Sequence, residues 1–213
     1  MKRRMFFGAI CFFAAFALWT LGLCFVDVQT VGPQGSSVGF ATMNSGFHRL
    51  TGVHMKLYLL TDYLSLIPFC LVLAFALLGL CQWIKRKSLL RVERNILALG
   101  VFYAIVLAVY LFFEVCVVNY RPVLVNGVLE ASYPSSTTVL VLCVMTTAAM
   151  QLDARIENLR LRKCTSFTII AFSAFMLVGR LVSGVHWLSD IIGGVLLSAG
   201  LVMLYSACVK TEI

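Results

Sequence analysis

The sequence predicts an all-α fold, a bundle of six transmembrane helices, and three observations carry that prediction. Of 213 residues, 61% are hydrophobic and only 12% charged, with a mean hydropathy of +0.97, which exceeds what one water-soluble core uses. The apolar residues gather into six runs of membrane-crossing length. Short basic runs separate these segments and read as topology signals. The formal charge of +8 therefore does not point to nucleic acid, and no nucleic-acid partner is expected.

The first span is expected over 5–26, after Lys2, Arg3 and Arg4. Its apolar run is long for a signal-peptide core and no clear small-x-small cleavage site follows, so it is read as a retained span. Residues 27–57 form a loop with His48, Arg49, His54 and Lys56. Within it Phe40, Met43, Phe47, Leu50 and Val53 suggest an amphipathic surface segment. Both histidines read as interfacial polar groups.

The second span covers 58–84, with Asp62 near its start and Pro68 as a candidate kink. After the basic turn Lys85-Arg86-Lys87, with Arg91 and Arg94, a third span runs over 95–118 and carries Glu114 near its end. A polar loop over 119–134 leads to the fourth span, 135–152. The basic loop with Arg155, Arg160, Arg162 and Lys163 precedes the fifth, 165–180, and the sixth covers 188–209. No internal repeat or low-complexity linker divides the chain, so one domain over 1–213 is expected. The eight cysteines show no CxxC and no zinc-like spacing with His. They read as packing residues, with no structural metal.

With the N- and C-termini cytoplasmic, 13 of the 17 basic residues fall on the cytoplasmic side and only Arg49, Lys56, Arg121 and Arg180 do not, as the positive-inside rule requires. Arg121, the turn Pro134-Ser135-Ser136-Thr137-Thr138, Arg180, His186 and Asp190 then share the extracytoplasmic face.

The chemistry concentrates in Gly179-Arg180-Leu181-Val182-Ser183-Gly184-Val185-His186-Trp187-Leu188-Ser189-Asp190. If His186 opens a helix, Asp190 lies four residues on along the same face, where its carboxylate holds one imidazole nitrogen and leaves the other free to attack. Arg180 adds a planar fork of donors that matches phosphate oxygens. The alternative is a buried histidine beside a helix-capping aspartate. Ser135, Ser136 and Thr137 begin a helix whose free N–H groups suit phosphate; alone they are an ordinary cap, but two arginines at the same level favour an anion site.

These residues resemble the type 2 phosphatidic acid phosphatase / haloperoxidase-like superfamily of integral membrane lipid phosphatases, whose motifs are Lys-x6-Arg-Pro, Pro-Ser-Gly-His and Ser-Arg-x5-His-x3-Asp. Arg121-Pro122 matches the end of the first, Pro134-Ser135 the start of the second, and Arg180, His186 and Asp190 the third with its spacing intact. The resemblance extends from the second span onward. Four positions depart from it. Glu114 stands in place of the first-motif Lys, Ser136-Thr137 in place of Gly-His, and Gly179 in place of the Ser before Arg180.

The resemblance implies that His186 attacks phosphorus to form a phosphohistidine, that Asp190 orients it, and that Arg121 and Arg180 bind phosphoryl oxygens. It implies no cofactor and a lipid phosphate as partner. The second-motif His, which protonates the leaving group, has no counterpart, since a Thr hydroxyl cannot serve as imidazolium does. Loss of a general acid costs about 100-fold to 10,000-fold in rate.

The expected function is thus a metal-independent hydrolase of a lipid phosphate or diphosphate, polyprenyl diphosphate or phosphatidic-acid-like, in the plasma membrane. The alternative is a catalytically silent member that binds lipid phosphate or supports a membrane partner. A transporter ranks below both, because no polar pathway crosses the spans. Glu114 is an accessory candidate. Either it pairs with Arg121 or Arg180, if the helix continues through Tyr120, or it stays protonated and supplies the missing proton.

Overall fold

The computed structural model describes residues 2–209; Lys210 and the C-terminus, expected in the cytoplasm, lie outside the described residues. Eight α-helices follow in order: α1 (Lys2–Phe25), α2 (Ala41–Thr51), α3 (Met55–Leu64), α4 (Leu66–Arg86), α5 (Arg94–Val115), α6 (Ser136–Asp153), α7 (Leu159–Val182) and α8 (Leu188–Cys208). Among the described residues six segments are long and apolar enough to cross a membrane, α3 and α4 counting together as one. Many of their large apolar side chains face outward, among them Leu73, Val101, Phe112, Phe167 and Ile170. In a chain this apolar such side chains face lipid, and the protein is a multi-pass integral membrane protein.

The second span is interrupted at Ser65. Pro68 lacks the N–H that would bond the carbonyl four residues back, and the break falls one residue beyond that carbonyl, Leu64. Ser65 repairs the joint locally, its N–H reaching the carbonyls of Thr61 and Asp62, each at 3.1 Å. The third span is shorter than expected. Helix α5 ends at Val115, and Cys116 is already non-helical (φ −93°, ψ 75°). Apolar residues continue to Val118, but they lead into an extended loop in which Tyr120 bridges Ala131 and Val125 bridges Val128. Of the residues expected in an amphipathic surface segment, Met43, Phe47 and Leu50 lie on α2, while Phe40 precedes it and Val53 follows it.

Helices α6 and α8 form the centre of the bundle and bury more residues than any other helix. Helix α1 packs along α8 more extensively than any other pair, since Gly8 and Gly200 lack the Cβ that would meet Met203 and Phe13 at 2.7 and 2.8 Å. At the end of the bundle near the chain's basic loops, Arg155 ties Glu93 to Gln151, and Gln151 donates to the Tyr205 hydroxyl. At the opposite end, α2, the 116–135 loop and the α7–α8 turn close together.

Candidate functional site

Helices α7 and α8 are joined by residues 183–187 alone. Gly184 permits this tight turn, with φ +68° and a position where a Cβ would come 1.9 Å from the Gly52 carbonyl oxygen. The turn is pinned to the α2–α3 link: His54 N–H donates to the Ser183 carbonyl at 2.9 Å, and His48 Nε2 meets the Gly184 carbonyl at 3.1 Å. His54 Nε2 bonds its own turn through Thr51 O, so both histidines serve the loop packing. Asn44 on α2 accepts from Ser189 N–H and donates to Ser189 Oγ, holding the start of α8.

His186 and Asp190 are 3% and 0% exposed. Asp190 Oδ2 accepts the Trp187 backbone N–H at 2.9 Å and lies 3.7 Å from His186 Nδ1. The capping and histidine-facing readings therefore coincide in one carboxylate, although 3.7 Å is a charge–dipole contact rather than a hydrogen bond. On the other side of the ring, Arg121 Nη1 stands 3.1 Å from Nε2. A guanidinium only donates, so Nε2 accepts and the ring proton belongs on Nδ1, facing Asp190. Burial, and then the charges of Arg121 and Arg180, push His186 well below its ordinary pKa. The imidazole is neutral, with its Nε2 lone pair turned toward the arginines.

Arg180 is 2% exposed. Its Nη2 donates to Asp62 Oδ1 at 2.8 Å and to Thr137 Oγ1, while its Nε and Nη1 are buried without partners among the described residues. Arg121 Nε lies 3.0 Å from Glu130 Oε2, but is too poorly aligned for a hydrogen bond. The Tyr58 ring sits beneath both cations, 4.7 Å from Arg180 Cζ and 5.7 Å from Arg121 Cζ. Buried cationic N–H groups without acceptors are costly. A phosphoryl group would satisfy several at once.

The Ser/Thr turn divides its work. Ser135 caps no N–H with its side chain; its backbone N–H donates to Asp190 O at 3.1 Å, and its Oγ accepts from Thr138. Thr137 holds Arg180, and Ser136 lines a cavity with it. Glu114 corrects one expectation. Because α5 stops at Val115, no continuous helix carries it toward Arg121, and among the described residues the arginines pair with Glu130 and Asp62 instead. Glu114 lies exposed in the last turn of α5, on the wall of that same cavity.

The PAP2 superfamily model matches residues 65–213, which hold Arg121, the Ser135–Thr137 turn, Arg180, His186 and Asp190. The chain belongs to the PAP2 superfamily. In fold it is similar to a solved structure, the first transmembrane PAP2 type phosphatidylglycerolphosphate phosphatase from Bacillus subtilis, with a TM-score of 0.63 at 15% identity over 94% of each chain. No curated protein matches it in sequence.

Two departures of this PAP2 protein from its family's motifs have structural reasons. At Gly179 a Cβ would come 2.7 Å from Thr61 Cγ2, so α3 occupies the space a serine needs. Thr137, in place of the second-motif His, supplies an oxygen to Arg180. Sequence reasoning missed Tyr58, the pairings of Asp62 and Glu130, and Trp187, whose indole N–H donates to Tyr120 O at 2.7 Å and fastens the Arg121 loop to the His186 turn. The one available signal was the four-residue spacing of Tyr58 and Asp62, which places them on one face of α3. Among the described residues no three His, Cys, Asp or Glu side chains gather as a metal site.

Proposed function

We propose that this PAP2 protein is a lipid phosphatase that removes phosphate from a lipid mono- or diphosphate through a phosphohistidine at His186. The observation that supports this most is the neutral imidazole whose Nε2 faces Arg121 while Arg180 keeps two buried N–H donors without partners. Nε2 attacks phosphorus in line with the leaving oxygen. Arg121 and Arg180 neutralise the equatorial oxygens, with the Ser136–Thr137 turn beside them. Asp190 stabilises the positive charge that develops on the ring. Water then attacks the phosphohistidine and releases phosphate, returning Nε2 to its resting state.

The split of basic residues supports an extracytoplasmic site and a plasma-membrane protein whose single domain spans 1–213. With Thr137 where the family has its acid, a diphosphate suits the site better than a simple monoester, because a departing phosphate needs less protonation than an alkoxide. A second reading, a silent member that binds lipid phosphate or supports a membrane partner, draws on the same Thr137. Phosphate release by the purified protein from a panel of lipid monophosphates and diphosphates separates the two. Release that is lost in His186→Ala supports the phosphatase; binding without release by the wild type supports the silent reading.

A further inference from the structure

The lone pair assigned to attack phosphorus is already engaged. Arg121 Nη1 stands 3.1 Å from His186 Nε2, which is the place a phosphorus atom must take, since reacting atoms meet at about 3–3.5 Å. The same guanidinium is held from its other edge, where Nε lies 3.0 Å from Glu130 Oε2. Arg121 thus spans a carboxylate and the nucleophile. A phosphoryl group reaches Nε2 only after Nη1 turns off it.

The two arginines are held differently. Arg180 spends Nη2 on Asp62 and Thr137 and keeps Nε and Nη1 without partners among the described residues, so an anion joins it without displacing Asp62. The Arg121–Glu130 pair is suited to parting. It lacks the alignment of a hydrogen bond, and the Glu130 side chain is 40% exposed, so water takes over the carboxylate at small cost. Arg121 is also the more loosely stacked cation, 5.7 Å from the Tyr58 ring against 4.7 Å for Arg180. The loop itself does not depend on the side-chain contact: Arg121 N–H donates to the Glu130 backbone carbonyl at 3.0 Å, beside the Tyr120–Ala131 bridge.

We propose that Glu130 is a positioning residue that latches Arg121 over His186 Nε2 until a phosphoryl group draws the guanidinium away and uncovers the nucleophile. The inference rests on the phosphatase reading and adds to it a residue outside the family's motifs. Phosphoryl oxygens offer Arg121 two charged acceptors in a fork that matches its donors, in place of one misaligned carboxylate and one neutral imidazole nitrogen. Glu130 therefore lowers affinity for the anion and keeps Nε2 covered before the anion arrives. A residue that merely braced Arg121 for phosphate would raise that affinity, so the sign of the effect separates the two roles.

The test titrates orthovanadate, a phosphate analogue, into wild type, Glu130→Gln and Asp62→Asn in detergent, and records the His186 ¹⁵N spectrum of each with His48 and His54 replaced by Gln, which leaves one histidine. Glu130→Gln is expected to bind orthovanadate roughly 5-fold more tightly, the scale of a partly exposed ion pair. Its Nε2 resonance is expected to move toward that of an imidazole nitrogen with no donor. Asp62→Asn removes an equal charge but leaves the Arg121–His186 contact, so its Nε2 resonance is expected to stay in place. Unchanged or weaker binding by Glu130→Gln overturns the latch, and so does an Nε2 resonance that stays put in Glu130→Gln or moves equally in both variants. Wild type that binds no orthovanadate removes the anion site and the latch together. Orthovanadate binding with the expected Glu130→Gln changes, beside phosphate release from a lipid diphosphate that survives His186→Ala at the wild-type rate, would keep the latch and remove the covalent reading alone.

Discussion

The His186 imidazole, within reach of one guanidinium and near a second, stays neutral because burial and the two cations act on it in the same direction. The native histidine resists protonation while the unfolded chain takes up a proton near pH 6.5. Its contribution to stability is therefore constant above about pH 6.5 and is lost as pH falls below that value toward the folded pKa. Imidazole ¹⁵N spectra of a His48→Gln, His54→Gln variant are expected to show the Nδ1–H form at pH 7 and a midpoint below 6.5; an Nε2–H form contradicts the assigned tautomer, and a midpoint at or above 6.5 contradicts the lowered pKa. Tyr58 holds both guanidinium planes, and a desolvated cation–π contact is worth about 2 kcal/mol. Tyr58→Leu should weaken inhibition by vanadate by about 10-fold or more, while Tyr58→Phe, which keeps the ring, should stay near wild type. Equal loss in both variants would assign the effect to the hydroxyl. Arg180, His186 and Asp190 were legible in the sequence because their chemistry is written in local spacing, and Arg121 through its place on the same predicted face and the Arg121-Pro122 pair. Tyr58, Asp62 and Glu130 were not, because they reach the site from other elements at no fixed interval.

At the scale of elements, the six apolar runs located the spans, but hydropathy continues where helices stop. The Val115–Val118 run is uniformly apolar, yet its last residues leave the helix for the extended loop that carries Arg121. The Pro68 kink was legible because a missing N–H acts on a known carbonyl; the early end of α5 leads into the Tyr120–Ala131 pairing, a contact between distant residues that local composition does not encode. Packing of α3 on α7 carries a sharper expectation. Gly179→Ser restores the family's residue but drives its Cβ into Thr61 Cγ2, an overpacking worth roughly 1–3 kcal/mol. Thermal unfolding in detergent should show that loss, and Thr61→Ser, which removes the methyl, should recover most of it. Additive losses in the double variant would show that the two positions do not compete for space.

Across the whole molecule, the proposed outward-facing site depends on orientation, which the basic residues encode and the helix packing alone does not. Val128 stands exposed beside the Asn126-Gly127 turn, both of whose residues have positive φ. A Val128→Cys reporter in a cysteine-free background should react with impermeant maleimide from outside intact cells; labelling only after the cytoplasm is opened would invert the topology and move the site to the inner face. The central claim is the covalent step at His186. Rapid quenching of the purified protein with a ³²P-labelled lipid diphosphate should trap label on one peptide containing His186, stable to base and lost in acid, and absent from His186→Ala. Phosphate released at the wild-type rate by His186→Ala, or turnover with no labelled protein and direct transfer of phosphate to water, would contradict it.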